Sequence, residues 1–229
     1  MPKDKQTERK TIMKKYKGII FDLDGTLLNT VYDLADSVNE VLTHMGFPCH
    51  DEEEYKLKIG HGFRNLIEVS LPEDQRTEEN IEKGLDMFVK AYDQKYKNRT
   101  VPYNGIPELM EQLHDRHICF AVNSNKRMDY TNALVDKFFS HLPFTAVFGE
   151  REGVPKKPDP ASALEIAGMM GLKPEEILYI GDSSTDMATG KNAGMDTVGV
   201  AWGFRGREEL EASGGTYIVD RPEEILDII

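Results

Sequence analysis

The rhythm of hydrophobic and polar positions changes three times along the chain. YKGIIF, at 16–21, is a short continuous apolar run that reads as a buried strand, closed by the polar turn DLDGT. From Val31 the apolar residues fall three and four apart. Val31, Leu34, Ala35, Val38, Val41, Leu42 and Met45 share one helical face, and Gly46 is a natural stop. Residues 50–100 stay helical in character, with apolar positions scattered among Glu, Asp and Lys, and no strand is expected there. After Pro102 helix and strand alternate. Helices are expected at 107–117, 129–139, 160–170 and 187–193 and from Pro222, and the strands are ICFAV, TAVF, ILYI, TVGVA and TYIV. Strands written as unbroken apolar runs belong to a parallel sheet buried on both faces. The expected fold class is therefore α/β, a parallel sheet with helices on both faces. An α-helical insert at 30–102 interrupts a core made of 1–29 and 103–229.

Composition narrows the function classes. Of 229 residues, 28 are Lys or Arg and 40 are Asp or Glu, a formal net charge of −12. With 39% hydrophobic and 30% charged residues this is a globular composition, and not a disordered one. The acidic balance argues against nucleic acid as a partner, because such a face must displace counterions. A small anionic ligand held by a few local cations is compatible with it. No apolar run approaches the roughly 20 residues that span a bilayer, so no membrane partner is expected. The mostly charged first fifteen residues, expected to be frayed or bound to the surface, lack the apolar stretch of a secretion signal. Cys49 and Cys119 give neither a disulfide framework nor a zinc spacing, which fits a reducing cytoplasm, and Cys119, within an apolar run, is expected in the core. The oligomeric state is not legible.

In an open parallel sheet, ligands bind beyond the carboxyl ends of the strands. YKGIIF is followed by Asp22 and Asp24, ICFAV by Asn123, Ser124 and Asn125, TAVF across a loop by Lys156 and Lys157, and ILYIG by Asp182, with Asp186 one helical turn on. Four strand ends thus deliver carboxylates, a hydroxyl, amides and a lysine to one crevice. Carboxylates forced together raise one another's pKa, and a divalent cation relieves that. Oxygen donors without His or Cys select a hard ion such as Mg2+. Lysine, serine and amides suit the remaining oxygens of a phosphate, so the set reads as a phosphoryl-transfer site. Taken singly, the same residues have plainer readings: Asp22 and Asp24 as turn carboxylates, Ser124 as a cap, Asp182 and Asp186 as charges at a helix start.

Asp22-Leu23-Asp24-Gly25-Thr26-Leu27, Ser124, Lys157-Pro158-Asp159-Pro160 and Gly181-Asp182-Ser183-Ser184-Thr185-Asp186 resemble, in order and spacing, the four signature motifs of the haloacid dehalogenase-like superfamily. The likeness covers roughly residues 16–200. The helical insert after the first motif is similar to the cap of the phosphoglycolate phosphatase-like branch. The resemblance implies a Rossmann-like core with an inserted α-helical cap domain, and roles residue by residue. Asp22 matches the nucleophile that forms an aspartyl-phosphate, and Asp24 the general acid/base. Asp182 matches the metal ligand, together with Asp22 and the backbone carbonyl of Asp24. Asp186 matches a group orienting a metal-bound water or Lys157. Ser124, the amide of Asn125, and Lys157 match the phosphate contacts, with Lys156 a bystander. Retention of Asp24 favours phosphate ester hydrolysis over dehalogenation. The expected enzyme is a Mg2+-dependent phosphatase acting on a small phosphorylated metabolite. A phosphomutase resembling β-phosphoglucomutase, a pyrophosphatase and a non-catalytic binding protein remain as alternatives. Arg64, after Gly60-His61-Gly62-Phe63, is a candidate for the far end of the substrate, against the reading of a surface arginine; His61 is read as a surface residue and Trp202 as packing or a loop at the site rim.

Overall fold

The structure, a computed structural model, describes residues 15–229. Most of the charged leader, and with it the expectation for residues 1–15, lies outside the described residues. Six parallel strands form the central sheet: β1 (Gly18–Phe21), β4 (Cys119–Arg127), β5 (Val147–Glu150), β6 (Ile177–Gly181), β7 (Asp196–Val200) and β8 (Tyr217–Val219), in the order β5-β4-β1-β6-β7-β8. A two-residue antiparallel pair, β2 (Leu28–Asn29) with β3 (Val101–Pro102), closes the neck of the insert.

The sheet is buried from both sides, as its unbroken apolar strands require. Along β1, Ile19 and Phe21 face one hydrophobic cluster and Ile20 faces another. On the first face pack α5 (Ile106–Asp115), through Ile106, Leu109, Met110 and Leu113, and α6 (Met128–Phe139), through Leu134 and Val135. On the second pack α7 (Ala161–Met170), through Ala163, Ile166 and Ala167, and α8 (Ser184–Asn192), which lies against β6 and β7. The Rossmann-like arrangement expected from the sequence is present.

Between β2 and β3 run α1 (Val31–Met45), α2 (Glu52–Lys58), α3 (Phe63–Ser70) and α4 (Glu78–Lys95). They bury a cluster of their own, including Leu34, Val38, Tyr55, Phe63, Leu66, Phe88 and Tyr92, which Tyr130 and Phe204 join from outside the insert. Gly46 ends α1 in a left-handed conformation (φ 77°), as the periodicity indicates. The neck holds a buried carboxylate that periodicity does not reveal. Asp33, in the first turn of α1, accepts hydrogen bonds from the backbone N–H groups of Arg99 and Thr100 and from the Thr100 hydroxyl, at 2.8–3.1 Å. A buried carboxylate is tolerated because these donors replace its water.

Two expectations are corrected, and one element is new. Cys119 is exposed, because it is the first residue of β4 at the rim of the sheet and burial begins one residue later. The segment from Pro222 is a 3-10 helix, Pro222–Asp227, anchored by buried Pro222 and Ile225. A ninth helix, α9 (Arg207–Ala212), is unannounced because it buries one apolar side chain, Leu210. Among the described residues no helix is long and apolar enough to cross a membrane.

Candidate active site

The crevice lies at the carboxyl end of the sheet, between the strand ends and the insert. Its lining includes Asp22, Asp24, Ser124, Asn125, Lys157 and Asp182, together with Leu34, Ile59, Phe63 and Leu66 from the insert. The strand ends therefore converge as the sequence indicates.

β1 delivers Asp22 directly, its N–H donating to the Ile180 carbonyl of β6 at 2.8 Å. The chain then turns sharply. Gly25 has φ +85°, and a Cβ there would come within 2.2 Å of an Asp182 oxygen. Glycine is thus required at this position both by backbone conformation and by the approach of the carboxylate. Gly203 presses on the same group from the loop after β7, where a Cβ would lie 2.3 Å from the Cβ of Asp182. The N–H of Phe204 donates to Asp182 Oδ2 at 2.6 Å.

Lys157 is buried with its Nζ 2.7 Å from Asp22 Oδ1 and 2.7 Å from Asp186 Oδ1. Asp186 Oδ2 accepts from the Ser183 hydroxyl (2.6 Å) and backbone N–H (3.2 Å) at the start of α8. Asp186 is thus both a helix-start carboxylate and a partner of the Lys157 ammonium. Lys156 lies outside this arrangement, half-exposed and paired with Glu150 at 2.8 Å.

Burial pushes the Asp22 carboxyl up to about 7; the Lys157 ammonium pulls it down and Asp186 pushes it further up. Burial likewise pushes Asp182 well above the usual carboxylate range, with Asp186 and Asp22 adding to it. Burial opposes the charge on Lys157, yet Asp186 and Asp22 hold its pKa well above the ordinary lysine value.

Carboxylate oxygens of Asp22, Asp182 and Asp186 lie within 4.8 Å of one another. Hydrogen bonds and the lysine occupy both oxygens of Asp186, whereas those formed by Asp182 use Oδ2. Asp22 and Asp182 are therefore the members suited to hold a cation. Hard oxygen donors, like charges in close approach and raised proton affinities all fit a divalent ion such as Mg2+.

Ser124 is buried at the end of β4, its Oγ accepting from the Lys126 N–H at 3.2 Å. The Asn125 side chain serves the scaffold. Its Oδ1 accepts from the Lys157 N–H (2.9 Å), and its Nδ2 donates to the Lys157 carbonyl (3.3 Å) and to the Gly60 carbonyl in the insert (3.0 Å). Arg64 does not line the crevice; it is paired with Glu78 and Glu82 on α4. His61 is exposed, and the Trp202 indole donates to the Thr26 carbonyl at 3.1 Å, behind the first motif.

Two functional neighbours escape sequence reasoning. Lys126 is buried with its Nζ 3.0 Å from Asp24 Oδ1. One residue further along the same strand end would have reached it. Arg205 lines the crevice and donates to the carbonyls of Lys56, Leu57 (3.0 Å) and Ile59 (3.2 Å), at the end of α2. Nothing in its sequence context marks it, because any chain offers carbonyls.

A sequence model of haloacid dehalogenase-like hydrolases matches residues 19–200. The chain belongs to the haloacid dehalogenase-like hydrolase family. Among curated members of the family, a phosphoglycolate phosphatase from Psychrobacter arcticus is 30% identical over 217 residues, 92% of this chain and 94% of that protein. Another from Vibrio parahaemolyticus is 28% identical over 93% of this chain and 96% of that one. A crystal structure of a predicted phosphoglycolate phosphatase from Haemophilus somnus has a TM-score of 0.86 and 29% identity, covering 94% of this chain and 99% of that one. A haloacid dehalogenase-like family protein from Streptococcus pneumoniae, at 21% identity and a TM-score of 0.83, shares the fold. The family, the fold class and the phosphatase class expected from the sequence are borne out.

Proposed function

We propose that the protein is a Mg2+-dependent phosphatase that hydrolyses a small phosphorylated metabolite through a phosphoaspartate on Asp22. The observation that carries this is Lys157, buried and bonded at once to Asp22 and Asp186, beside Asp182. Asp22 attacks phosphorus and the leaving oxygen takes a proton from Asp24, after which Asp24 accepts a proton from the water that attacks the phosphoaspartate. Lys157 neutralises phosphate oxygen charge and aligns the nucleophile. Ser124 and the backbone N–H of Asn125 hold the remaining phosphate oxygens, and Asp186 orients Lys157. Mg2+ bound by Asp22, Asp182 and the Asp24 carbonyl would supply further neutralisation of the phosphate charge.

In this reading residues 30–102 act as a cap on the core of 1–29 and 103–229, excluding bulk water while the phosphoaspartate forms. Two curated relatives that carry phosphoglycolate phosphatase in their names at nearly full coverage make phosphoglycolate the first substrate to try. Two free cysteines fit work in a reducing cytoplasm. The test is release of inorganic phosphate from a panel of phosphorylated metabolites, phosphoglycolate among them, with and without Mg2+. Metal-dependent release that disappears in Asp22→Asn supports the reading; release that survives the substitution refutes the nucleophile. Isomerisation of a sugar phosphate with no net release would identify a mutase instead.

A further inference from the structure

The mechanism above uses one of two buried lysines in the crevice. The other, Lys126, has no exposed side-chain surface, and its ammonium lies 3.0 and 3.1 Å from the two carboxylate oxygens of Asp24. The Thr30 hydroxyl also donates to Asp24 Oδ1, at 2.7 Å. Asp24 is therefore gripped by the end of β4 and by the residue that precedes α1.

The ammonium also faces the insert. The rings of Tyr92 and Phe63 lie 5.1 and 5.7 Å from Nζ, centroid to nitrogen, and pack edge-on against each other at 5.3 Å. The Tyr92 hydroxyl is buried beside the same ammonium. A buried ammonium is tolerated where a carboxylate and aromatic faces replace its water, and this one has both. The carboxylate it holds is the one whose angle matters for proton transfer.

We propose that Lys126 is a positioning residue for Asp24, held in register by the aromatic faces of Phe63 and Tyr92, so that seating of the insert on the core completes the proton-transfer group. The proposal rests on the reading of Asp24 as the acid/base. Lys126 transfers no proton. Its N–H donors fix the carboxylate, and the rings keep water from competing for those donors.

The dependence on the leaving group separates this role from a structural one. An alkyl phosphate expels a basic alkoxide that needs the proton from Asp24, whereas p-nitrophenyl phosphate expels a stable phenolate that does not. The ratio kcat/KM reports the first transfer, to Asp22. Lys126→Met keeps an unbranched side chain one atom shorter and removes its charge. It is expected to lower kcat/KM about 100-fold for an alkyl phosphate but less than about 5-fold for the aryl ester, with a lowered kcat and little change in KM. Lys126→Arg is expected to restore part of the alkyl activity. Asp24→Asn should show the same split, and adding Lys126→Met to it should cost nothing more.

Equal losses on the two esters would overturn the proposal in favour of a structural lysine. A raised KM at unchanged kcat would overturn it in favour of a substrate contact. If Asp24→Asn shows no split, the acid/base reading fails; if it does and Lys126→Met does not, the positioning role alone fails. Should Lys126→Met not fold, Tyr92→Leu decides: a split of about 10-fold in the same sense supports the role, and equal losses reject it.

Discussion

The crevice is lined by two regions built on opposite principles. The strand ends contribute charged groups, each held by a partner: Lys157 by Asp22 and Asp186, Asp24 by Lys126 and Thr30, Asp182 by the Phe204 N–H. The insert contributes Leu34, Ile59 and Leu66, which need volume and no particular angle, and Phe63, whose ring also faces Lys126. Buried polar groups must be paired, and pairing fixes direction as well as place. In the proposed function the strand ends would determine what reaction occurs, and the insert what fits and how dry it stays. Substitutions should divide accordingly, with losses in rate from the first region and losses in stability or selectivity from the second, apart from the rings of Phe63 and Tyr92 that face Lys126.

The largest break is expected at Asp22. Asp22→Asn should reduce Mg2+-dependent turnover at least about 1,000-fold with an unchanged circular dichroism spectrum, because it removes the nucleophile. Lys157→Ala should follow, lowering kcat about 100-fold, whereas Lys156→Ala should change it less than about 2-fold. Similar effects of the two lysine changes, measured side by side, would erase the distinction between the buried ammonium and its exposed neighbour.

For the insert, Phe63→Ala should cost about 3 kcal/mol in urea unfolding, from transfer and cavity terms together. A purely kinetic effect at Phe63 would blur the contrast. Acidity offers a further test. Asp22, raised from 3.8 to about 7, stays protonated in the folded protein where the unfolded chain has released its proton. Asp182 is raised as well. The folded state then binds more protons, so the metal-free protein should lose stability as pH rises from about 4 to about 7. Added Mg2+ should raise the Tm more at pH 8 than at pH 5, which calorimetry would read. The smallest effect is expected at Arg64, an exposed partner of Glu78 and Glu82. Arg64→Ala should change stability by less than about 1 kcal/mol and leave KM unmoved.

How far the sequence could be read depended on whether a residue's burden is local. The strands of the sheet declare themselves as apolar runs because both faces are buried, and the residue after each run is placed in the crevice by topology alone. Asp22, Ser124, Lys157 and Asp182 were legible on that ground. Lys126 was not, since a lysine after two amides looks solvated until Asp24 arrives from another strand. Asp33 escaped for the same reason, its donors lying 66 and 67 positions away. Arg64 stands near a glycine-flanked stretch that invites a role at the site, yet two glutamates on α4 hold it elsewhere.

Arg205 and Asn125 grip the stretch 56–60 by its peptide oxygens, and take nothing from its side chains. The grip is therefore indifferent to the side chains at Lys56 and Leu57, while Gly60 is needed for its backbone (φ +123°) and Ile59 for the core of the insert. Changes at Lys56 and Leu57 should therefore leave the two halves of the molecule fastened.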